Sequence, residues 1–488
     1  MNALISTPLR RIGWSCCAFL LATGMAVWLG KQSDVTSFND GDIMKRYLLM
    51  PFLFALMIFS LLSACAIKPM PKSGISVATP AQPAPPYMAQ VVGVQWLNPL
   101  QRRDYSTEWQ LLWTLGLAKP NQNDDKVREN SARFSKVQSI GMIASGNGGE
   151  ETLKGYHHKY VDELILLFRH SYFASSNYFY NAHALKDKST RHELAGIRVE
   201  YALPAGRLDP VEAGQFLRET ITDTFSIGNP HFPNSWTTAT PPDVRVTTGG
   251  ANAGFTSLAA GLAYLQSHPD KTVWVMNWDA PSFPPKDEQI DENIVLLILA
   301  GPDFRTERAP LAWLGFPATA IMTDYAVKKG EPPRIVQAWT AAIEQAAAQA
   351  RLDTGKIGYV IHDAGDRHPD ASSRIGPLAQ SLTMNLPELD FMKQTFNTAA
   401  LLGEMGAGTA LTNVALAIAW ANHRGQPVLV AGAGDLAAPV ALVVVPPAVA
   451  RPVDPEKPWV RARGEGSVFL PWWGLRHDAR VLMQGYSN

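Results

Sequence analysis

The stretch HDAGDRHPD places five potential metal ligands or bases directly after an apolar strand candidate. They are His362, Asp363, Asp366, His368 and Asp370. Imidazole and carboxylate groups bind divalent metals, and either can act as a general base. A solvated loop with aspartate-capped turns has the same composition. No HxxxH or HExxH pattern occurs elsewhere, so the solvated loop is favoured and no metal or cofactor is predicted. A divalent metal or a base in this loop stays an open alternative.

A second candidate is the glycine turn in VRVTTGGANAGFTSLAAGLAYL, from Val244 to Leu265. The pattern predicts a strand, a tight turn at Gly249 and Gly250, and a helix rich in small residues. Many enzymes carry a nucleophile on such a turn, but this one holds neither a cysteine nor a GxSxG serine. A hydroxyl of a nearby threonine or serine would need an adjacent base. This turn, called the first elbow below, is therefore predicted to be structural.

Another glycine motif, VLVAGAGDLA from Val428 to Ala437, contains GxGxxA after a strand. A dinucleotide site requires that a helix follow, so that its N-terminus can hold the pyrophosphate. Here Ala438, Pro439 and a further apolar run follow instead. The sequence predicts a tight hairpin between two core strands.

Aromatic side chains are the candidates for binding a partner, because aromatics often dominate the energy of protein interfaces. Packing in the core is an equally good interpretation of each ring. The two clusters, in SYFASSNYFYNAH and LPWWGL, contain Tyr172, Phe173, Tyr178, Phe179, Tyr180, Trp472 and Trp473.

Composition excludes several classes of function. The chain has 488 residues, with 43 basic and 43 acidic side chains, so no global charge favours nucleic acid. The only cysteines are Cys16, Cys17 and Cys65, all in apolar N-terminal segments. The remaining chain therefore has no disulfide framework, no thiolate zinc site and no cysteine nucleophile.

The N-terminal part, residues 1–68, contains two apolar segments, each about long enough to cross a bilayer. Two interpretations stay open. The segments could form a membrane hairpin that leaves the body in the cytoplasm. Alternatively, Leu62 to Cys65 resembles a lipobox after a second start at Met44, in which case Cys65 is lipidated and the body is periplasmic. Both interpretations predict membrane attachment, and the Pro/Ala-rich residues 69–88 form a tether.

Two similar halves are predicted beyond the tether, residues 89–325 and 326–488. Strands alternate with helices, which predicts an α/β sheet covered on both faces. In the first half, strands are predicted at Ala89–Leu97, Val137–Ser145, Asp243–Thr247, Thr272–Met276 and Asn293–Ala300, and helices near Tyr160–His170 and Pro210–Thr224. In the second half, a helix over Arg334–Arg351 and a strand over Ile357–His362 precede an irregular stretch and a second glycine turn.

The two glycine turns introduce similar units. Setting Val273 on Val428, an offset of 155 residues (428 minus 273), also sets His268 on His423 and Ala251 on Gly406. In both units a glycine turn leads to a helix of small residues, then to two strands. Small residues allow a helix to approach its neighbours closely, so both helices are predicted to lie in the middle of a layered fold.

This duplicated unit resembles the thiolase and β-ketoacyl synthase family, which implies a layered α-β-α-β-α fold. The resemblance places the family's nucleophilic cysteine at Asn252, and an asparagine does not form a thioester. The family's strand-end histidine and following aspartate match His362 and Asp370. The family's second histidine would fall in the LGEMGAGT turn near Gly403, where none is present. The resemblance therefore implies the fold without its chemistry.

The layout, an apolar N-terminus before a two-part thiolase-like body, is also similar to a Gram-negative bacterial family of adaptors. These adaptors load a lipase effector onto a type VI secretion spike. The resemblance implies a non-catalytic adaptor or scaffold, a pseudoenzyme whose partners are a lipase effector and a spike protein, with no nucleic acid. The alternative is a divergent acyltransferase or hydrolase that uses the His362 loop.

Overall fold

The computed structural model describes most of the body and none of the N-terminal segments. It describes residues 86–97, 105–129, 131–135, 152–174, 194–231, 239–281, 291–306, 309–365, 371–454, 456, 458–459 and 472–473. The two apolar segments with Cys65, most of the tether, the predicted strand Val137–Ser145, Tyr178 to Tyr180, and Asp370 lie outside the described residues. Within the described ranges, no helix is both long and apolar enough to span a bilayer.

Ten α-helices are described. They are α1 Thr107–Thr114, α2 Asp125–Glu129, α3 Ser131–Ser135, α4 Leu153–Ala174, α5 Pro210–Thr224, α6 Ala253–Ser267, α7 Arg334–Gln349, α8 Ala371–Asn385, α9 Thr398–Leu402 and α10 Thr409–Arg424. Helix α5 has the predicted bounds and α7 nearly so, whereas α4 begins well before the predicted start near Tyr160. The irregular stretch of the second half is in fact structured, since α8 and α9 lie there.

Twelve strands are described, and they share one sheet. They are β1 Ala89–Leu97, β2 Arg198–Pro204, β3 Asp243–Gly249, β4 Thr272–Asp279, β5 Asn293–Ala300, β6 Ala312–Leu314, β7 Ala318–Thr319, β8 Tyr359–His362, β9 Thr395–Asn397, β10 Val428–Gly432, β11 Val440–Val445 and β12 Trp472–Trp473. The predicted hairpin is confirmed, because β10 and β11 pair antiparallel.

The order of the strands repeats. From one edge to the other it is β3-β2-β4-β5-β1-β6-β11-β10-β8-β9, with β7 and β12 off this path. If the strands of the second half on this path, β6, β8, β9, β10 and β11, are counted first to fifth, each half has the order third, second, fourth, fifth, first. The two first strands, β1 and β6, meet in the middle. The strand directions repeat as well. In the first half β2 is parallel to β3 and β4, and β5 is antiparallel to β4. In the second half β8 is parallel to β9 and β10, and β11 is antiparallel to β10. By this topology the second unit begins at β6, before the predicted boundary at residue 326.

Alternate residues of the central strands face two different cores, which defines the layers. Val273 and Val275 of β4 pack with α1, α6 and α10 in a central core, whereas Trp274 and Met276 pack on the outer helices α4 and α5. The strands of the second half share their alternate residues between the same central core and an outer core under α7 and α8. These layers confirm the predicted α-β-α-β-α fold class.

The two helices of small residues begin in contact, as predicted. A Cβ placed on Gly254 of α6 would lie 2.9 Å from the Cβ of Ala410 and 3.1 Å from the Cγ of Leu411 in α10. The absence of a side chain at Gly254 therefore sets how closely the halves approach.

Each outer layer is a pair of parallel helices. In the first half, Lys154 of α4 pairs with Glu212 of α5, and the hydroxyl of Thr220 lies 3.3 Å from Asp162. In the second half, the Ser381 hydroxyl of α8 donates to a carbonyl of α7 at 3.0 Å. Helices α5 and α8 connect equivalent strands and so occupy equivalent places in the two halves.

Candidate functional site

The first elbow places Asn252 at the N-cap of α6. The Asn252 side chain makes no capping hydrogen bond, and the residue is half-buried. Its Oδ1 is buried without a hydrogen-bond partner among the described residues. Asn252 therefore contributes packing at the position where the resemblance puts a nucleophile, and it gives the helix no cap.

The β10–β11 turn of the second half lies directly against the first elbow. A Cβ on Gly432 would lie 2.6 Å from both the Oδ1 of Asn252 and the Cε2 of Phe255. A Cβ on Gly434 would lie 2.5 Å from the Cβ of Ala251. A side chain at either glycine would overlap the first elbow or the start of α6, so the close packing of the turn on the elbow requires glycine at both positions.

His362 ends strand β8, as predicted, and its side chain is 1% exposed. Its Nδ1 accepts a 3.3 Å hydrogen bond from the N–H of Ala364, and the ring stacks on Phe391. Burial lowers the pKa of His362 to about 4, so the imidazole is neutral at physiological pH. Because Nδ1 accepts this bond, the single N–H of the neutral imidazole lies on Nε2.

Asp363 fixes the turn that covers the first elbow. Its Oδ1 accepts a 2.6 Å hydrogen bond from the N–H of Ala433, and its Oδ2 lies 3.6 Å from the Cβ position of Gly434. Burial raises the pKa of the Asp363 carboxyl to about 6. His362 and Asp363 therefore each accept a hydrogen bond from a backbone N–H, His362 from Ala364 and Asp363 from Ala433.

No group of three or more histidine, cysteine, aspartate or glutamate side chains with metal-binding geometry occurs among the residues that the structure describes. Asp366, His368 and Asp370 fall outside those residues, so the match of Asp370 to the family's aspartate stays a prediction.

The second elbow, Gly406–Gly408, is held by polar groups of the first half. The Oδ2 of Asp279, at the end of β4, accepts a 2.8 Å hydrogen bond from the N–H of Ala407. The amide of Asn277 donates to the carbonyl of Gly408 at 2.8 Å. Arg207 pairs with the other carboxylate oxygen of Asp279 at 2.6 Å. Burial raises the pKa of Asp279 to about 6, and the hydrogen bond from Ala407 and the charge of Arg207 oppose this rise.

The two elbows are therefore fixed reciprocally, each by the end of the fourth strand of the other half. At the offset of 155 residues, Asn277 and Asp279 correspond to Gly432 and Gly434. The polar side chains of Asn277 and Asp279 bind the second elbow, whereas the backbone at Gly432 and Gly434 packs on the first elbow. The pair of contacts connects the halves at the place where the resemblance locates an active site.

A group of carboxylates lies beside the second elbow. The N–H of Asp291 donates to the carbonyl of Glu404 at 2.6 Å, and the Oδ2 of Asp291 fills the place that a Cβ of Gly403 would take. Burial, with repulsion from Glu292 and Glu404, raises the pKa of Asp291 to about 7. No histidine occurs in this segment, in agreement with the sequence.

Sequence reasoning missed Asp279, Asn277 and Arg207. The run NWD at the end of an apolar strand was a usable signal, because polar residues at the end of a buried strand need partners.

The predicted aromatic residues are only partly located. Tyr172 and Phe173 lie in the last turns of α4, and the backbone of Trp472 and Trp473 pairs antiparallel with β1 at Val94 and Gly93. Their contribution to a partner surface stays a prediction.

Residues 311–446 match the family model described as type VI lipase adapter protein Tla3, C-terminal. The predicted resemblance is confirmed for these residues, which span β6 to β11. No curated protein matches the chain.

Solved structures with a similar fold include condensing enzymes and a thiolase. An oxazolomycin ketosynthase domain from Streptomyces albus JA3453 is 13% identical with a TM-score of 0.43, over 78% of this chain and 100% of that chain. The 3-oxoacyl-(acyl carrier protein) synthase III of Pseudomonas aeruginosa PAO1 is 11% identical with a TM-score of 0.41, over 74% and 99%. Peroxisomal 3-ketoacyl-CoA thiolase of Saccharomyces cerevisiae is 11% identical with a TM-score of 0.39, over 60% and 94%.

Proposed function

We propose that the protein is a non-catalytic adaptor that binds a secreted lipase effector and helps to load it onto a type VI secretion spike. The observation that carries this proposal is the match of residues 311–446 to the type VI lipase adapter family. The match covers the β6–β11 half, including both the turn that packs on the first elbow and the second elbow itself.

The geometry of the first elbow supports a non-catalytic role. Acyl transfer of the thiolase type requires a nucleophile at the elbow and donors directed at the developing oxyanion. Asn252 stands at that position, with its Oδ1 packed on Gly432. His362 is buried, and its Nδ1 is already engaged by Ala364. These contacts favour a scaffold over the alternative acyltransferase or hydrolase.

The proposal is tested with the purified full chain, a lipase effector encoded in the same genome and the corresponding spike protein. We expect a stable complex with the effector and, on adding the spike protein, a ternary complex in size-exclusion chromatography. We expect no turnover of acyl-CoA or lipid esters by the chain alone. Absence of effector binding at micromolar concentration would contradict the adaptor role, and turnover abolished by His362→Ala would favour the enzyme.

We also infer that residues 1–68 attach the protein to a membrane. The basis is the two uncharged apolar segments, each preceded by basic residues. A reporter fused after Ser73 distinguishes the cytoplasmic body of a hairpin from the periplasmic body of a lipoprotein. Mass spectrometry of a diacylglycerol-modified Cys65 tests the second arrangement directly, and a fully water-soluble full-length protein would contradict both.

A further inference from the structure

The exposed face of α8 carries no charged side chain. The residues of α8 that are exposed to solvent are Ser372, Ser373, Gly376, Gln380, Thr383 and Met384. Arg374, the single charged residue of this 15-residue helix, is half-buried. Met384 is 53% exposed, although it is a large apolar side chain. Solvated helix faces are normally charged, so this face needs an explanation.

The equivalent helix of the first half provides an internal comparison. Helix α5 occupies the same place in the other outer layer, and its exposed face has the usual charged composition. The exposed residues of α5 are Pro210, Val211, Glu212, Gln215, Arg218, Glu219 and Asp223. A helix at this position in the fold can therefore have a charged exposed face, and the lack of charge is specific to α8 in the second half.

Two further observations agree with burial of this face against a protein. A Cβ on Gly376 would meet nothing within 4 Å, so no contact inside the described body requires glycine there. A small residue on an exposed helix face does allow another backbone to approach closely. Methionine, with its flexible thioether, adapts to irregular partner surfaces, and depletion of charge is the compositional signal of an interface core.

We propose that the exposed face of α8, centred on Gly376, Gln380 and Met384, is the docking surface for the lipase effector. This inference rests on the proposed function, and α8 lies within the residues that match the lipase adapter family. The matching surface of the effector is uncharged and apolar at its centre, because a charge buried against this face would have no partner.

The test is the affinity of the purified effector for the full chain, measured by calorimetry in detergent for the native protein and single variants. Met384→Glu places a charge at the centre of the docking surface, and we expect its Kd to rise at least tenfold. Leu166→Glu is the matched control, because Leu166 is 57% exposed on α4 in the outer layer of the first half. We expect the Kd of the control to stay within twofold of the native value.

Gln380→Arg is a second variant on the same face, used with Met384→Glu to separate binding from folding. Circular dichroism and the melting temperature of each variant should match the native protein. If the native chain binds the effector and both variants bind equally well, the docking surface is wrong while the adaptor function stands. If the native chain does not bind, both proposals fail. If the variants convert a dimer to a monomer without changing effector affinity, the face holds a second copy of the chain and the inference is overturned.

Discussion

Asp279 joins the two halves through a single buried carboxylate, which is 1% exposed. It accepts from Ala407, from Ala280 and from Arg207. Asp279→Ala leaves the N–H of Ala407 without its acceptor and Arg207 without its counter-charge. We expect the free energy of unfolding in urea to fall by about 2–4 kcal/mol. Asp279→Asn keeps one oxygen for a donor and should lose less.

The matched control for Asp279 is Asp270→Ala. Asp270 pairs with Lys271 on the surface, where its side chain is 73% exposed. Exposed pairs contribute little, so this change should lie within about 0.5 kcal/mol of the native protein. Equal effects of the two substitutions would show that the reciprocal contact does not stabilise the fold.

Asp291 should make the protein less stable as pH rises. Its folded pKa is about 7, raised first by burial, whereas an unfolded aspartate titrates near pH 4. The folded state holds the extra proton between these values, so the stabilising contribution is complete below about pH 4 and is lost as pH rises through 7. Asp291→Asn should therefore be more stable than the native protein at pH 8, by about 1–2 kcal/mol after discounting for solvent screening.

Thermal unfolding at pH 5 and pH 8 measures this effect. The advantage of Asp291→Asn should shrink toward zero at the lower pH, where the native carboxyl is protonated. Parallel pH profiles for the two proteins would mean that Asp291 titrates normally.

The crossing of α6 and α10 depends on Gly254. A methyl group there meets Ala410 at 2.9 Å and Leu411 at 3.1 Å, so Gly254→Ala forces the helices apart. Overpacking of this kind costs about 1–3 kcal/mol, and Gly254→Leu should cost more. Urea unfolding measures the loss, with Gly250→Ala as control, because a Cβ on Gly250 meets nothing within 4 Å. Full tolerance of leucine at position 254 would contradict the close approach.

Elements with strong local signals were predicted to within a few residues. Helix α5 begins and ends as predicted because Asp209 caps it, with its carboxylate accepting from Val211 and Glu212, and because Pro210 suits a first turn. Helix α8 was missed because Gly376 and Pro377 signal a break. Its helical conformation is supported by tertiary contacts, with Leu378 and Leu382 in the outer core.

The candidate site was predicted only in part, for a related physical reason. The elbow, its missing nucleophile and the strand-end position of His362 follow from local patterns. The contact of Asp279 with Ala407 spans 128 residues, and no local pattern predicts which turn a strand end will meet. The repeat identifies equivalent positions in the two halves, but the contact between a strand end and a turn of the other half appears only in the folded structure.

Because of the reciprocal contacts, we expect the two halves to fold and unfold as one unit. The central core contains Leu258 of α6 and Leu411 of α10, and strands β1 and β6 pair between the halves. Residues 86–306 or 309–488 expressed alone would expose this core, so we expect each to be insoluble or to lack a cooperative unfolding transition.

Co-expression of the two fragments should restore a soluble complex, because every described contact between the halves other than the connecting chain is non-covalent. Trp274 and Trp278 report on the first half through their fluorescence, whereas circular dichroism reports on the helices of both halves. The urea transitions measured by the two methods should nevertheless coincide for the intact body. Separate transitions, or cooperative unfolding of residues 309–488 alone, would show two independent domains. In that case the β10–β11 turn would pack on the first elbow only after each half had folded, and Asp363 and Asp279 would stabilise an interface between domains.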